Sequence, residues 1–239
     1  MQFIANEKIC PFCSIVKKSY SSTFRKIFSV SEVKNEIIFE SLNFIFCLDI
    51  GPIVNGYSLI ISKKHIPSFA YLSIEEIHEL IQLKHIIHKI LTKLFGKPIF
   101  FEHGAASLYE NAGCCIEHAH LHAIPTYKDL SYIFFADYDF ELLKSYEKLV
   151  DYRTKGYLFY ENHIGTKYCY QASNIPSQYV RKIISLEISK RPWNWCDYVN
   201  FPSRYNTKKI IYESLNIITK LIKNSNELFQ EYTVEIKIH

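Results

Sequence analysis

The run Ile116-Glu117-His118-Ala119-His120-Leu121-His122-Ala123-Ile124 constrains the fold more than any other stretch of the chain. Histidine stands at every second position, with small or apolar residues between. A β-strand has a side-chain period of two, so His118, His120 and His122 project from one face and Ala119, Leu121 and Ala123 from the other. The second face calls for a packed core behind it. The first does not, because three imidazoles are poor core material. Three readings of the histidines stand open. They are incidental on a half-exposed strand, or all three hold one zinc with water in the fourth position. In the third, the middle histidine is a nucleophile and its neighbours serve a metal and a phosphate.

The flanking sequence supplies a sheet and a helix for this strand. Glu36–Glu40 and Asn43–Asp49 read as a hairpin, and Tyr57–Ser62 follows as a third strand after the turn signals Gly51-Pro52 and Asn55-Gly56. Ser73-Ile74-Glu75-Glu76 is a capping-box pattern. Apolar residues at Ile77, Leu80, Ile81, Ile87, Ile90, Leu91 and Leu94 then keep helical spacing up to Gly96 and Pro98. Pro98–Glu102 reads as a strand and Ile116–Ile124 as the next. Beyond Pro125 the pattern changes. Gly156–Glu161 and Thr166–Gln171 read as a second hairpin. Pro176–Ser189 and Lys208–Lys223 read as helices, the latter capped by Asn206 or Thr207. A boundary near residues 125–129 divides a catalytic domain, 1–128, from a mixed α/β extension, 129–239, that could also be an elaboration of the same domain.

Apolar residues make up 48% of the 239, enough to bury a core, and the net charge of +4 suits a small anionic substrate. Basic residues occur as scattered pairs such as Lys63-Lys64, not as the concentrated footprint of a nucleic-acid binder. No apolar run approaches the length of a membrane span, and no leader pattern opens the chain. A cytoplasmic location is the expectation. Seven cysteines is an odd number, which favours reduced thiols, some of them metal-bound, over a disulfide framework. Cys10-Pro11-Phe12-Cys13 has the spacing of half a structural zinc site, and His65 and a triad histidine are the candidates to complete it.

Taken together, these segments resemble the histidine triad (HIT) superfamily over about residues 8–125. His118–Ile124 is similar to its signature of histidines alternating with hydrophobic residues. Ile37-Ile38-Phe39-Glu40 resembles its early strand, Leu48-Asp49-Ile50 its nucleoside-holding segment, and Gly56–His65 the stretch before its first helix. Gly113 falls where a glycine opens the loop before the triad. The resemblance implies an α+β fold, with an antiparallel sheet and a long helix. It implies a nucleotide hydrolase or nucleotidyl transferase acting at the α-phosphate of a nucleoside phosphate, such as a dinucleoside polyphosphate, through a covalent nucleotidyl-histidine at His120. His122 would bind phosphate oxygens. Zinc-bearing branches of the superfamily imply a closed, structural Zn²⁺ site made by Cys10, Cys13, His65 and His118.

Asp49 matches the acidic residue that takes ribose hydroxyls, with Ile50 and Ile38 flanking the base. Glu102, Gly113 and Cys115 are further substrate contacts to test, and Arg181 is a phosphate clamp near a helix N-terminus. Trp193 and Trp195 read as packing anchors, and His78, His85 and His88 as helix-face residues. Tyr57 stands where several members have histidine, and Cys114-Cys115 replaces a polar pair. The alternatives are a hydrolase with a three-histidine zinc and a non-catalytic nucleotide- or RNA-binding module. Homodimers are frequent among small members, and the extension is a second candidate to cover that surface.

Overall fold

A computed structural model describes residues 10–20, 22–107, 116–171, 175–225 and 227–239. Its centre is one antiparallel sheet. The strands are β1 (Ile37–Glu40), β2 (Phe44–Leu48), β3 (Ser58–Ser62), β4 (Pro98–Gly104), β5 (His120–Pro125), β6 (Glu141–Leu142), β7 (Tyr157–Glu161), β8 (Lys167–Gln171) and β9 (Lys237–Ile238). They lie in the order β6-β8-β7-β4-β5-β3-β2-β1-β9. The second hairpin, β7–β8, pairs with β4 and so continues the sheet formed by the first half of the chain.

Period-two alternation sorts the two faces. Phe46, Ile60, Phe100, Leu121, Ala123 and Phe159 point into one core, with the long helix laid across them. Ile45, Leu59, Ile61, Ile99, Phe101 and Leu158 point into a second core on the opposite face. Both faces are therefore covered, which explains why β2 and β3 are buried at every position.

Helix α1 (Pro11–Val16) follows Cys10, and α2 (Ile74–Leu94) is the long helix. The capping box of α2 forms as its sequence dictates: Ser73 Oγ accepts from Glu76 N–H at 3.3 Å and Glu76 accepts from Ser73 N–H at 2.8 Å. Gly96, with φ +117°, turns the chain away after it. The extension adds α3 (Ser131–Asp137), α4 (Tyr179–Ile184), α5 (Trp195–Asn200) and α6 (Thr207–Lys223). Helix α4 is shorter than its sequence pattern. Gln178 is left-handed (φ 58°), so the helix begins only at Tyr179, and Ser185–Ser189 winds on as a wider π-turn. Asn206 occupies the position before α6 in a left-handed conformation without a side-chain cap. The Thr207 hydroxyl donates instead to Tyr198 O, so neither residue caps the helix.

No helix among the described residues is long and apolar enough to cross a membrane.

Candidate active site

Strand β5 begins at His120, four residues later than the strand expected from Ile116. Before it, Ala119 N–H donates to Ile66 O at 2.8 Å while Ala119 O accepts from Ser62 N–H at 3.1 Å. His118 therefore leaves the regular ladder and turns its ring toward α1, where four side chains converge. Cys10 Sγ lies 3.4 Å from His118 Nδ1, and Cys13 Sγ lies 3.1 Å from His65 Nδ1 and 3.5 Å from His118 Nδ1. The two histidine Nδ1 atoms are 3.1 Å apart.

All four atoms lie within 4.8 Å of one another. A tetrahedral zinc with bonds of about 2.0–2.3 Å has ligand–ligand edges of about 3.3–3.8 Å, so the cluster is close to that geometry. Its protonation suits a metal as well. The Cys13 thiol, followed by His118, holds the Cys10 thiol down at about 3 against the opposing effect of burial, so Cys10 is a thiolate. His118 Nε2 is 2.7 Å from Ser62 O and must donate there, which leaves Nδ1 with a bare lone pair. The Cys/His cluster fits zinc. Among the described residues it is the sole group of this kind, and His120 and His122 are not part of it. The three triad imidazoles do not converge on one point, which counts against the three-histidine zinc.

The other two imidazoles line a pocket on the same face of the sheet. His120 Nδ1 is 2.7 Å from His118 O. A carbonyl only accepts, so the His120 proton sits on Nδ1 and Nε2 is bare. Burial pushes the His120 pKa down to about 4, so the ring is neutral at pH 7. His122 stacks on Phe101, with centroids 4.2 Å apart and 8° between planes, and its Nδ1 is 2.7 Å from the Tyr57 hydroxyl. Burial, then His120 and Arg181, hold its pKa well below the usual imidazole range.

The walls come from distant parts of the sequence. Pro11, Phe12 and Ile15 of α1 form one side, and Phe12 packs on His120 with centroids 4.7 Å apart. Leu48, Asp49, Ile50 and Leu59 form a second. Gln178, Tyr179, Val180, Arg181 and Trp195 of the extension close a third. Arg181 is fixed by donating to Gly51 O at 2.7 Å and to Trp193 O at 2.9 Å. Its Nη1 lies 3.3 Å from Asp49 Oδ1. Burial raises the Asp49 pKa, and the Arg181 charge opposes that rise.

Several sequence expectations need correction. Glu102 is on the other face of β4, since Phe101 and His103 point to the pocket. It accepts from Phe69 N–H at 2.9 Å and pairs with the Tyr157 hydroxyl, and it does not line the pocket. Ile38 is buried in the core beneath α2 and does not line the pocket, whereas Leu48 and Leu59 do. Arg181 lines the pocket, as expected, but it pairs with Asp49 and stands on a helix of only six residues. Trp195 lines the pocket and is more than a packing anchor. Gly113 and Cys115, with Cys114, lie outside the described residues. His103, the neighbour of Glu102, does line the pocket. Sequence reasoning missed Phe12, Phe101 and Gln178. For Phe101 a signal existed: its parity on β4 matches that of the histidines on β5.

Comparison with known proteins agrees with the strand pattern. Residues 30–129 match the family model described as the HIT domain. No curated protein matches the chain. A zinc-bound histidine triad family protein from Mycobacterium smegmatis is 18% identical, with a TM-score of 0.39 over 61% of this chain and 90% of that one. A hypothetical histidine triad nucleotide-binding protein from Sulfolobus tokodaii strain7 is 17% identical, with a TM-score of 0.34 over 82% and 95%. Residues 30–129 of the chain therefore carry a HIT domain.

Proposed function

We propose that the chain is a nucleotide hydrolase or nucleotidyl transferase that works through a covalent nucleotidyl-His120. The observation that carries this reading is the His118 carbonyl at His120 Nδ1. It leaves Nε2 as an uncharged nucleophile in the pocket. His120 Nε2 attacks the α-phosphorus, a P–N bond forms, and the P–O bond to the leaving group breaks with its electron pair on oxygen. The positive charge on the modified ring is stabilised through Nδ1–H and the same carbonyl. Water then adds to phosphorus, the P–N bond breaks, and the water proton passes to solvent. An acceptor other than water gives transfer.

His122 is neutral and offers a hydrogen bond to phosphate oxygen, not a proton to a leaving group. A leaving group that departs as a phosphate anion fits this site, which favours a dinucleoside polyphosphate. The apolar wall of Leu48, Ile50, Leu59 and Trp195 suits a nucleobase, and Asp49 suits ribose hydroxyls. Zinc, when bound by Cys10, Cys13, His65 and His118, would act as a closed structural cross-link.

The test is a hydrolysis screen of labelled nucleotides with mass detection of an adduct at His120. The wild-type chain should show the adduct. His120→Ala should lose adduct and turnover while retaining its zinc. Turnover that persists in His120→Ala would refute the nucleophile assignment, and binding without any adduct or turnover would point to a binding module.

A further inference from the structure

We infer that Tyr57 is a positioning residue that sets His122 in the tautomer opposite to that of His120: the phenol donates to His122 Nδ1, and the His122 proton is held on Nε2, the nitrogen left for the pocket.

The direction of this hydrogen bond follows from counting donors and acceptors. Tyr57 is 1% exposed, and its hydroxyl lies 2.7 Å from His122 Nδ1. A buried hydroxyl needs an acceptor for its proton. The Arg181 guanidinium lies 5.1 Å from the ring centroid, and a guanidinium has no acceptor to offer. His122 Nδ1 is the acceptor at hydrogen-bond distance from the phenol. A neutral imidazole that accepts at Nδ1 carries its proton on Nε2. Stacking on Phe101 fixes the plane of the ring, so the Nε2–H direction is fixed too.

Two residues apart on one strand, the histidines thus carry complementary groups. His120 presents a bare nitrogen and His122 presents an N–H. An attacking group and a donor for a phosphoryl oxygen are what a displacement at phosphorus needs side by side, and the rings are 4.7 Å apart. Arg181 reinforces the arrangement. Its charge makes the phenol a stronger donor and disfavours a second proton on His122. Arg181 is part of α4, so the extension reaches the triad through Tyr57.

The catalytic meaning rests on the proposed nucleotidyl transfer, but the tautomer does not, and the experiment separates them. Two-dimensional ¹⁵N–¹H spectra of the histidine rings in the whole, zinc-loaded chain assign His122 by its loss in His122→Gln. The wild-type ring should show a protonated Nε2 and a hydrogen-bonded, unprotonated Nδ1. Tyr57→Phe keeps the ring packing and removes only the hydroxyl. It should shift the Nδ1 resonance and mix the tautomers. With a nucleotide substrate it should lower kcat about 10–100-fold with KM little changed. A wild-type proton on Nδ1, a spectrum unmoved by Tyr57→Phe, or an unchanged kcat would overturn the inference. The spectral change in a chain that turns over no nucleotide would uphold the assignment and sink the nucleotidyl-transfer reading.

Discussion

Phe12 lies between the two cysteines of the metal-ligand cluster and packs its ring against His120, centroids 4.7 Å apart. The same ring meets His118 edge-on at 5.8 Å. The metal site and the pocket therefore share a wall. Removing zinc with a chelator, or replacing Cys13 by serine, should free α1 and loosen Pro11, Phe12 and Ile15 together. A loss of about 3 kcal/mol would lower Tm by roughly 6–12 °C in a chain of this size. Nucleotide affinity should fall in parallel, as calorimetry on the loaded and stripped chain would show. Full stability after complete zinc removal would contradict the structural role.

Glu102 should impose a pH dependence on stability. Burial raises its pKa to about 8, from an ordinary 4.5 in the unfolded chain. Between those values the folded chain keeps the proton and the unfolded chain loses it. The contribution is full below about pH 4.5 and is lost as pH rises through about 8. Tm should accordingly decline across that window, and Glu102→Gln, which keeps the shape and both hydrogen-bonding positions, should flatten the decline. Thermal melts at a series of pH values decide the matter.

Arg181 and Asp49 form a buried pair, at 4% and 6% exposure. Arg181→Met would leave Asp49 without its counter-charge and strand the carbonyls of Gly51 and Trp193. The expected cost is about 3–5 kcal/mol in urea unfolding. Adding Asp49→Asn to that variant should recover part of the loss, because the unpaired charge goes. Nucleotide affinity should stay low in both variants. A double variant no more stable than the single one would show that the carbonyls, not the charge, dominate.

Gly51 lies at the contact between the first half of the chain and the extension. A Cβ there would come within 2.7 Å of Arg181 Nη2 and 2.8 Å of Trp195 Cα. The second of these is backbone and has little freedom to move aside. Gly51→Ala should cost about 1–3 kcal/mol and weaken substrate binding, since both neighbours line the pocket. Unfolding and binding measurements on this variant would reveal any independence of the two effects.

Much of the central sheet was legible because its strands are short apolar or alternating runs set between turn residues. His120–Pro125 carries the period of two in residue types with opposed chemistry, Phe44–Leu48 is a short apolar and aromatic run bounded by turns, and Ser73 to Pro98 delimits α2 by caps and breakers. Cys10, Cys13, His65 and His118 were legible as ligand types at workable spacings, and the structure brings them together. Other features depend on long-range partners that leave no local trace. Strand β9 has two exposed residues and exists because β1 offers an edge. Arg181 reads as an anion-binding residue until Asp49 is found beside it. Gln178 joins the pocket because its left-handed backbone starts α4 late, and its amide accepts from Trp195 N–H at 3.1 Å. Glu102 alternates with Phe101 and His103 along β4, which by itself puts it on the face away from the pocket.

The position of β4 inside the sheet has a consequence for assembly. Its backbone groups are taken by β5 on one side and β7 on the other, so no second polypeptide can add a strand there. The sheet ends instead at β6 and β9, each two residues long, and such stubs offer few free amides to template growth. By adding β7 and β8, the extension moves the growing edge away from the pocket and blunts it.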